Sequence, residues 1–168
     1  FYIGGPVPLY CQPQVEQRIR HSFDYAFTDL PETHSGSRPR LQFATIDESP
    51  FDVLGTQVTP IPMRHGPNCN VLGFRIGDIA YCTDTNGISP ESLDRLRGLD
   101  TLVIDALRYT EHPTHFCIEE AIAVALEVKP RRTLLTHMAH EIDYQTALRE
   151  LPPGIEPAYD GLQIELVG

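Results

Sequence analysis

The sequence contains no tryptophan and only one lysine, Lys129, among its 168 residues. Its 13 lysine and arginine residues are outnumbered by 23 acidic residues, which gives a formal net charge of -10. Such a charge repels polyanions, so we do not expect nucleic acid to bind through a broad basic face. A small anionic substrate held at a bound metal ion is compatible with this charge.

The sequence also lacks paired cysteines and long apolar runs. Its four cysteines are widely spaced and form no Cys-x-x-Cys pair, which excludes a zinc knuckle and a dense disulfide framework. Isolated thiols of this kind are typical of a reducing compartment. No stretch approaches the roughly 18 consecutive apolar residues of a membrane span, and the N-terminal segment lacks the pattern of a signal peptide. We therefore expect a cytoplasmic protein that does not bind a membrane.

The overall composition is that of a globular domain. Hydrophobic residues make up 41% of the chain and charged residues 21%, and both values are ordinary for folded proteins. A chain of this length buries enough surface to form one core without disulfide bonds. We expect a single domain over residues 1–168.

Apolar runs alternate with helical patterns along the second half of the chain. Residues 57–63, 74–83, 101–104 and 133–136 predict strands, and residues 90–97, 118–126 and 142–150 predict helices. This alternation predicts a layered α/β fold, in which functional residues gather at the carboxyl ends of strands. Asp160 and Gly161 predict a hairpin turn between residues 158–159 and 162–166.

Three of the predicted strands are followed by a residue that can bind a metal ion: His65, Asp84 and His137. Taken singly, each has a more common interpretation, as a hydrogen-bonded loop histidine or as a turn-forming aspartate. Together, imidazole and carboxylate groups at the ends of separate strands form the mixed nitrogen and oxygen set that suits Zn, Mn or Fe. The pattern therefore predicts a metal site.

These residues lie in a succession of motifs that resembles the metallo-β-lactamase superfamily. The motifs are P-M-R-H-G, Y-C-T-D-T, H-P-T-H-F-C-I-E-E-A and L-L-T-H-M-A-H, followed by Y-D-G-L-Q-I. Within that superfamily, their order and flanking residues are similar to the phosphodiesterase of the phosphonate carbon-phosphorus lyase pathway. Relatives of that enzyme include ribonuclease Z and pyrroloquinoline-quinone biosynthesis protein B. The resemblance covers nearly the whole chain and implies the layered αββα fold of the superfamily.

The resemblance also implies roles for individual residues. His65 and His137 would each bind one of two divalent ions, zinc or manganese, and Asp84 would bridge the two ions. His115 matches the position of a histidine that is not a ligand in these phosphodiesterases. It would act in catalysis, by donating a proton or a hydrogen bond to the phosphoryl or leaving oxygen.

Two further residues are candidates for supporting the metal ligands. His140 would orient a metal-binding side chain by contacting it without binding the metal itself, or would only cover the start of the last helix. Asp105 would have a similar supporting role, although an ion pair with Arg108 is the simpler interpretation.

One motif of the superfamily is missing. Its principal metal motif, His-x-His-x-Asp-His, is expected upstream of the first residues, and the sequence contains no His-x-His. We therefore expect the chain to correspond to the C-terminal two-thirds of the fold. On its own, such a chain would hold few or no metal ions and would be inactive.

The function predicted for the complete protein is that of a metal-dependent hydrolase. The leading hypothesis is a phosphodiesterase that cleaves small or cyclic phosphodiesters with a metal-activated water. The alternatives are a tRNA 3′-processing nuclease of the ribonuclease Z kind and a non-catalytic accessory or carrier protein. The scarcity of cations disfavours the nuclease. A homodimer that covers an exposed sheet edge is also expected.

Overall fold

The computed structural model describes residues 4–28, 31, 33–34 and 36–165. The chain divides into two compact units, Phe1–Ser49 and Pro50–Gly168, and each has a sheet of its own. The expectation of a single domain over residues 1–168 stays a prediction.

The first unit contains a small parallel sheet and one helix. Its elements are β1 (Val7–Cys11), α1 (Pro13–Ser22), a 3-10 helix (Asp24–Ala26) and β2 (Leu41–Thr45), and β1 pairs with β2. Pro13 is the first residue of α1. Proline has no backbone N–H, and this costs nothing there because the first N–H groups of a helix have no partner within it. The Arg20 guanidinium lies 5.0 Å from the ring centroid of Phe27 and 4.5 Å from that of Phe43. These cation–π contacts hold α1 to Phe27 and to Phe43 of β2.

The second unit is built on one mixed sheet. Its strands are β3 (Phe51–Val53), β4 (Thr56–Arg64), β5 (Asn70–Ile76), β6 (Ile79–Cys82), β7 (Gly87–Ile88), β8 (Thr101–Asp105), β9 (Arg132–Thr136) and β10 (Ile155–Pro157). Their order is β10-β9-β8-β6-β5-β4-β3, and β7 pairs with β4. Strands β6, β8, β9 and β10 are parallel, and β4 shares their direction because β5 is antiparallel to both β4 and β6. The carboxyl ends of β4, β6, β8 and β9 therefore lie at one edge of the sheet.

Three helices accompany this sheet: α2 (Pro90–Arg95), α3 (Ile118–Val128) and α4 (Tyr144–Glu150). Two of them begin at side-chain caps, since Ser89 Oγ accepts the backbone N–H of Ser92 and Asp143 Oδ1 accepts that of Thr146. The predicted helices and strands are thus confirmed as a mixed α/β arrangement. Of the helices that the structure describes, none has both the length and the apolar character required to cross a bilayer.

Strand β8 forms the centre of the core. All five of its residues are buried, which agrees with the run of apolar residues typical of an inner parallel strand. Leu102 and Ile104 are fully buried in one cluster with Leu135 of β9 and Ala121 of α3. This packing fixes the strand whose last residue is Asp105.

The hairpin predicted around Asp160 and Gly161 is wrong. A turn does occur at these two residues, but residues 158–165 form no strand, and residue 166 lies outside the described part of the chain. Instead, β10 pairs in parallel with β9, with Ile155 opposite Thr133. The backbone N–H of Ala158 donates to the carbonyl of Leu135, so the residue expected to begin the hairpin bonds to β9 instead.

The cysteines differ enough in exposure to predict their reactivity. Cys82 is fully buried, and burial, with the nearby charge of Asp105, raises the pKa of its thiol to about 12. Cys69 is exposed. Because the thiolate is the reactive form, iodoacetamide at pH 8 should modify Cys69 in the folded protein and leave Cys82 unmodified until the protein is denatured. Peptide mass spectrometry measures both, and native labelling of Cys82 as fast as that of Cys69 would contradict the prediction.

Candidate metal centre

The four sequence-predicted residues that follow or end strands come together at one edge of the second unit's sheet. His65 follows β4, Asp84 follows β6 and His137 follows β9, while Asp105 is the last residue of β8. Their convergence is a direct consequence of the strand directions, because these four strands end at the same edge. A fifth residue, His115, reaches the same place from the loop between β8 and α3.

Asp84 and His137 turn the chain sharply where their strands end. Both residues have a left-handed backbone, with φ of 60° and 58°. This conformation is uncommon outside glycine, although aspartate and histidine adopt it more often than other residues. The two turns bring His137 Nε2 to 3.6 Å from Asp84 Oδ1. Backbone strain of this kind is concentrated at functional sites, where the surrounding structure maintains it.

The ring of His65 is held by the backbone of the loop before α3. Its Nδ1 lies 2.8 Å from the backbone carbonyl oxygen of Thr114. A carbonyl oxygen only accepts hydrogen bonds, so Nδ1 carries the proton and Nε2 keeps a free lone pair. Metal-binding histidines are commonly fixed by such a contact on the second ring nitrogen.

His115 lies among the other histidines of the site. Its ring centroid is 4.8 Å from that of His65 and 4.8 Å from that of His137. Its Nδ1 is 3.1 Å from Asp105 Oδ2 and 4.0 Å from Asp84 Oδ1. Partial burial, together with the neighbouring rings of His137 and His65, lowers the pKa of His115.

Asp105 supports His115 from the interior. The residue is fully buried, and its Oδ2 accepts the backbone N–H of Thr85 at 3.2 Å as well as contacting His115. Burial raises the pKa of Asp105 to about 7, against the opposing effect of the Thr85 hydrogen bond. Its second oxygen, Oδ1, has no hydrogen-bond partner among the described residues.

The structure gives the surroundings of Arg108 and His140, on which the alternative interpretations of the supporting residues depend. Arg108 does not pair with Asp105, because its guanidinium donates to the backbone carbonyls of Thr110 and Glu111. The expectation of an Asp105–Arg108 ion pair is therefore wrong. His140 is exposed, and the structure shows it no side-chain hydrogen bond or ring contact within the described ranges.

The donor atoms fit a divalent cation. Ligand atoms of His65, Asp84 and His115 lie within 4.8 Å of one another. Ligands of a tetrahedral ion lie about 3.4 Å apart, and the 3.6 Å between His137 and Asp84 is close to that spacing. The side chains of Asp84 and His137 are 49% and 43% exposed, which leaves them open to an ion. The compact group includes His115, so its predicted role as a non-ligand stays a prediction.

The sequence did not predict the role of Asn86, which forms hydrogen bonds to two other loops of the site. Asn86 Oδ1 accepts the backbone N–H of Gly66, and Asn86 Nδ2 donates to the carbonyl of Pro113, each at 2.8 Å. The hydroxyl of Thr85 donates to the carbonyl of Arg64. In the sequence, T-D-T-N-G indicates only a turn, so no signal distinguished Asn86 from any other turn residue.

Comparison with known proteins finds a matching family and similar structures. The model of a family described as the beta-lactamase superfamily domain matches residues 3–138. The crystal structure of a new diphosphatase from the PhnP family superimposes with a TM-score of 0.87 at 32% identity, covering 98% of this chain and 60% of that one. The chain thus spans less than two-thirds of that relative's length.

Two other relatives extend the comparison. An octanoyltransferase from Porphyromonas gingivalis is 34% identical over 158 residues, which are 92% of this chain and 31% of that protein. Zinc-bound PqqB from Methylobacterium extorquens superimposes with a TM-score of 0.70 at 18% identity, covering 96% of this chain and 65% of that one. At this identity, the PqqB likeness supports the fold alone.

Proposed function

The chain belongs to the beta-lactamase superfamily, and from this premise we propose that it forms the active site of a metal-dependent phosphodiesterase acting on small phosphodiesters. The observation that carries the proposal is the convergence of four side chains. Nitrogen and oxygen atoms of His65, Asp84 and His115 lie within 4.8 Å of one another, and His137 Nε2 lies 3.6 Å from Asp84 Oδ1. The diphosphatase relative, at 32% identity, supports a phosphoryl group as the target. The net charge of -10 favours a small substrate over a long polyanion.

The residues fit divalent ions, zinc or manganese. We propose that His65 would hold one ion and His137 a second, and that the Asp84 carboxylate would help to hold both. When bound, such ions supply an activated water and stabilise the charge of a phosphoryl oxygen. The protein's own contribution is orientation. Thr114 fixes the ring of His65, and the left-handed backbone at Asp84 and His137 aims both side chains at one point.

His115 is the proposed proton donor. Its Nδ1 contacts the buried carboxylate of Asp105, which holds the ring in place. In the protonated ring, Nε2 carries the proton that would pass to the leaving oxygen, and the neutral ring remains. A carboxylate behind a histidine also stabilises the ring when it gains a proton. Asp105 is thus a positioning residue, since it acts through His115.

Replacing His115 with alanine tests this role. We expect kcat to fall by about 10²- to 10⁴-fold, the usual contribution of a positioned acid or base, while the bound metal per protein stays unchanged. Steady-state kinetics and elemental analysis measure the two quantities. Loss of metal in His115→Ala would instead identify His115 as a ligand and contradict the assigned role.

The hydrolysis of bis(4-nitrophenyl) phosphate tests the function itself. The full-length protein that carries this sequence, loaded with manganese or zinc, should release 4-nitrophenol, and a chelator should stop the reaction until metal is restored. Metal-loaded protein without turnover of this ester, and without turnover of other small phosphodiesters, would refute the proposal. If a diphosphate were not hydrolysed either, the outcome would favour the non-catalytic accessory protein.

A diphosphate is the second candidate substrate, and the likeness to the PhnP-family diphosphatase favours it. Both candidates require water to attack phosphorus, and they differ in the leaving group, which is a phosphate in one case and an alcohol in the other. Parallel assays with an aryl phosphodiester and a nucleoside diphosphate compare their kcat/KM values.

The tRNA-processing alternative is weakened by the charges of the second unit. The densest run of cations in the sequence is Lys129, Arg131 and Arg132. Arg131 forms an ion pair with Asp100, and Arg132 forms one with Glu156. Two of the three positive charges are therefore balanced locally. Salt-sensitive tRNA binding would revive this alternative, and no binding at low salt would end it.

A further inference from the structure

One histidine beside the proposed active site has no role in the function above. His112 lies in the loop between β8 and α3, and its ring centroid is 5.2 Å from that of His115, with an angle of 37° between the ring planes. It is therefore a direct neighbour of the proposed proton donor.

Contacts with Thr114 determine which ring nitrogen of His112 carries the proton. The backbone N–H of Thr114 points at His112 Nδ1, with 3.4 Å between the nitrogens, and the Thr114 hydroxyl lies 3.2 Å from the same atom. A nitrogen that receives a backbone N–H must offer a lone pair, so the ring proton is on Nε2. Within residues 36–165, no hydrogen-bond partner is recorded for Nε2. His112 thus keeps one N–H donor for another molecule.

Arg108, in the same loop, provides a second group of donors. Its Nε and Nη2 donate to the carbonyls of Thr110 and Glu111 at 3.1 and 2.5 Å. A guanidinium has five N–H bonds, so three remain without a recorded partner in the described part of the chain. Partial burial, followed by the positive charge of Arg108 and the rings of His115 and His65, lowers the pKa of His112.

The loop that carries both residues is fixed at several points. The backbone N–H of Leu107 donates to the carbonyl of Phe116, and that of Phe116 donates to Thr85 beside the metal centre. Asn86 anchors the loop once more through the carbonyl of Pro113. A pair of donors on such a loop is preorganised, so little ordering entropy is lost when a ligand binds.

We propose that His112 and Arg108 bind a second phosphoryl group of the substrate, next to the phosphoryl group held at the metal centre. This inference rests on the proposed function and narrows its substrate class to small molecules with two adjacent phosphoryl groups. Arginine suits this task because its planar set of donors matches phosphate oxygens, and charge-assisted hydrogen bonds are about twice as strong as neutral ones.

Competitive inhibition by two anions tests the inference. Inorganic diphosphate and orthophosphate are compared in the full-length protein, with manganese in excess so that diphosphate does not strip the metal. The measured quantity is the ratio of the two inhibition constants. In the wild type, diphosphate should bind at least tenfold more tightly. His112→Ala and Arg108→Ala should each reduce this preference about tenfold, the usual effect of removing a hydrogen bond to a charged group.

The controls separate this inference from the function on which it rests. His21→Ala removes an exposed histidine of α1 and should leave the ratio unchanged. His112→Gln retains an N–H donor and should restore most of the preference, which guards against a disturbed loop in the alanine variant. Equal ratios in the wild type and both alanine variants would overturn the inference. If no ester is hydrolysed, calorimetric titration of the two anions still gives the ratio, so each claim can fail alone.

Discussion

The variant Asp84→Ala is expected to lose its bound metal and about 10³-fold or more of its phosphodiester hydrolysis, since metal ions contribute several kcal/mol to such reactions. Asp84 Oδ1 lies 3.6 Å from His137 Nε2 and 4.0 Å from His115 Nδ1. The remaining residues of this group are histidines. Removing the half-exposed carboxylate leaves histidine rings and the fully buried Asp105 to attract a divalent cation.

A second substitution at the same position separates this effect from misfolding. Asp84 has φ of 60°, a conformation that costs most residues roughly 1 kcal/mol and costs glycine nothing. Asp84→Gly should therefore lose metal and activity as Asp84→Ala does, while its free energy of unfolding without metal stays equal to the wild-type value or rises.

The measurements are metal content by elemental analysis, turnover, and unfolding in urea after metal removal. Glu127→Ala, which removes an exposed carboxylate from α3, is the control and should match the wild type in all three. Retention of full metal content in both Asp84 variants would refute the assignment of Asp84 as a ligand. A loss of stability in Asp84→Gly would show that the carboxylate is needed by the fold.

The sequence predicted the strand ends of the second unit well, because the signals there are local. Alternating or continuous apolar residues mark β4, β6, β8 and β9, and each of these strands is followed or ended by a polar residue. Once the strands are known to be parallel in α/β folds, the convergence of His65, Asp84 and His137 at one edge follows. The family resemblance supplied the remaining member, His115, and the match to the beta-lactamase superfamily confirms that resemblance.

The contacts that hold the site could not be predicted in this way, because they join distant positions. Thr114, which orients His65, lies 49 residues further along the chain, and Asn86 lies 20 residues after Gly66 and 27 before Pro113. No periodic pattern encodes such pairs. The left-handed backbone at Asp84 and His137 could not be predicted for a different reason. Glycine is the usual sequence signal for such backbone, and neither residue is a glycine.

Substitution of Gly66 with alanine is expected to damage both the fold and the metal centre. Gly66 follows His65 with φ of 74°, and an added Cβ would lie 2.8 Å from the Cγ2 methyl of Thr114. Thr114 carries the carbonyl that orients His65. Displacing it should therefore weaken metal binding by about 10- to 100-fold, as loss of a contact behind a metal ligand does.

Gly98 provides the matched control for the stability effect. Its φ is 73°, nearly the same as that of Gly66, but an added Cβ would have no atom within 4 Å. Gly98→Ala should cost only the backbone strain, about 1 kcal/mol. Gly66→Ala should cost this strain plus about 1–3 kcal/mol for the steric clash. Urea unfolding of both variants without metal measures the difference, and equal costs would show that no clash occurs.

A third substitution then tests whether the steric clash with Thr114, and not the loss of glycine itself, lowers both the stability and the metal affinity. Thr114→Ser removes the Cγ2 methyl while keeping the backbone carbonyl that accepts from His65 and the hydroxyl that lies beside His112. In the Gly66→Ala background it should recover most of the clash energy and most of the metal affinity, and the backbone strain should remain. Coupling of this kind between neighbouring residues typically reaches 0.5–3 kcal/mol. Recovery of stability without recovery of metal affinity would mean that the carbonyl of Thr114 does not control the orientation of His65.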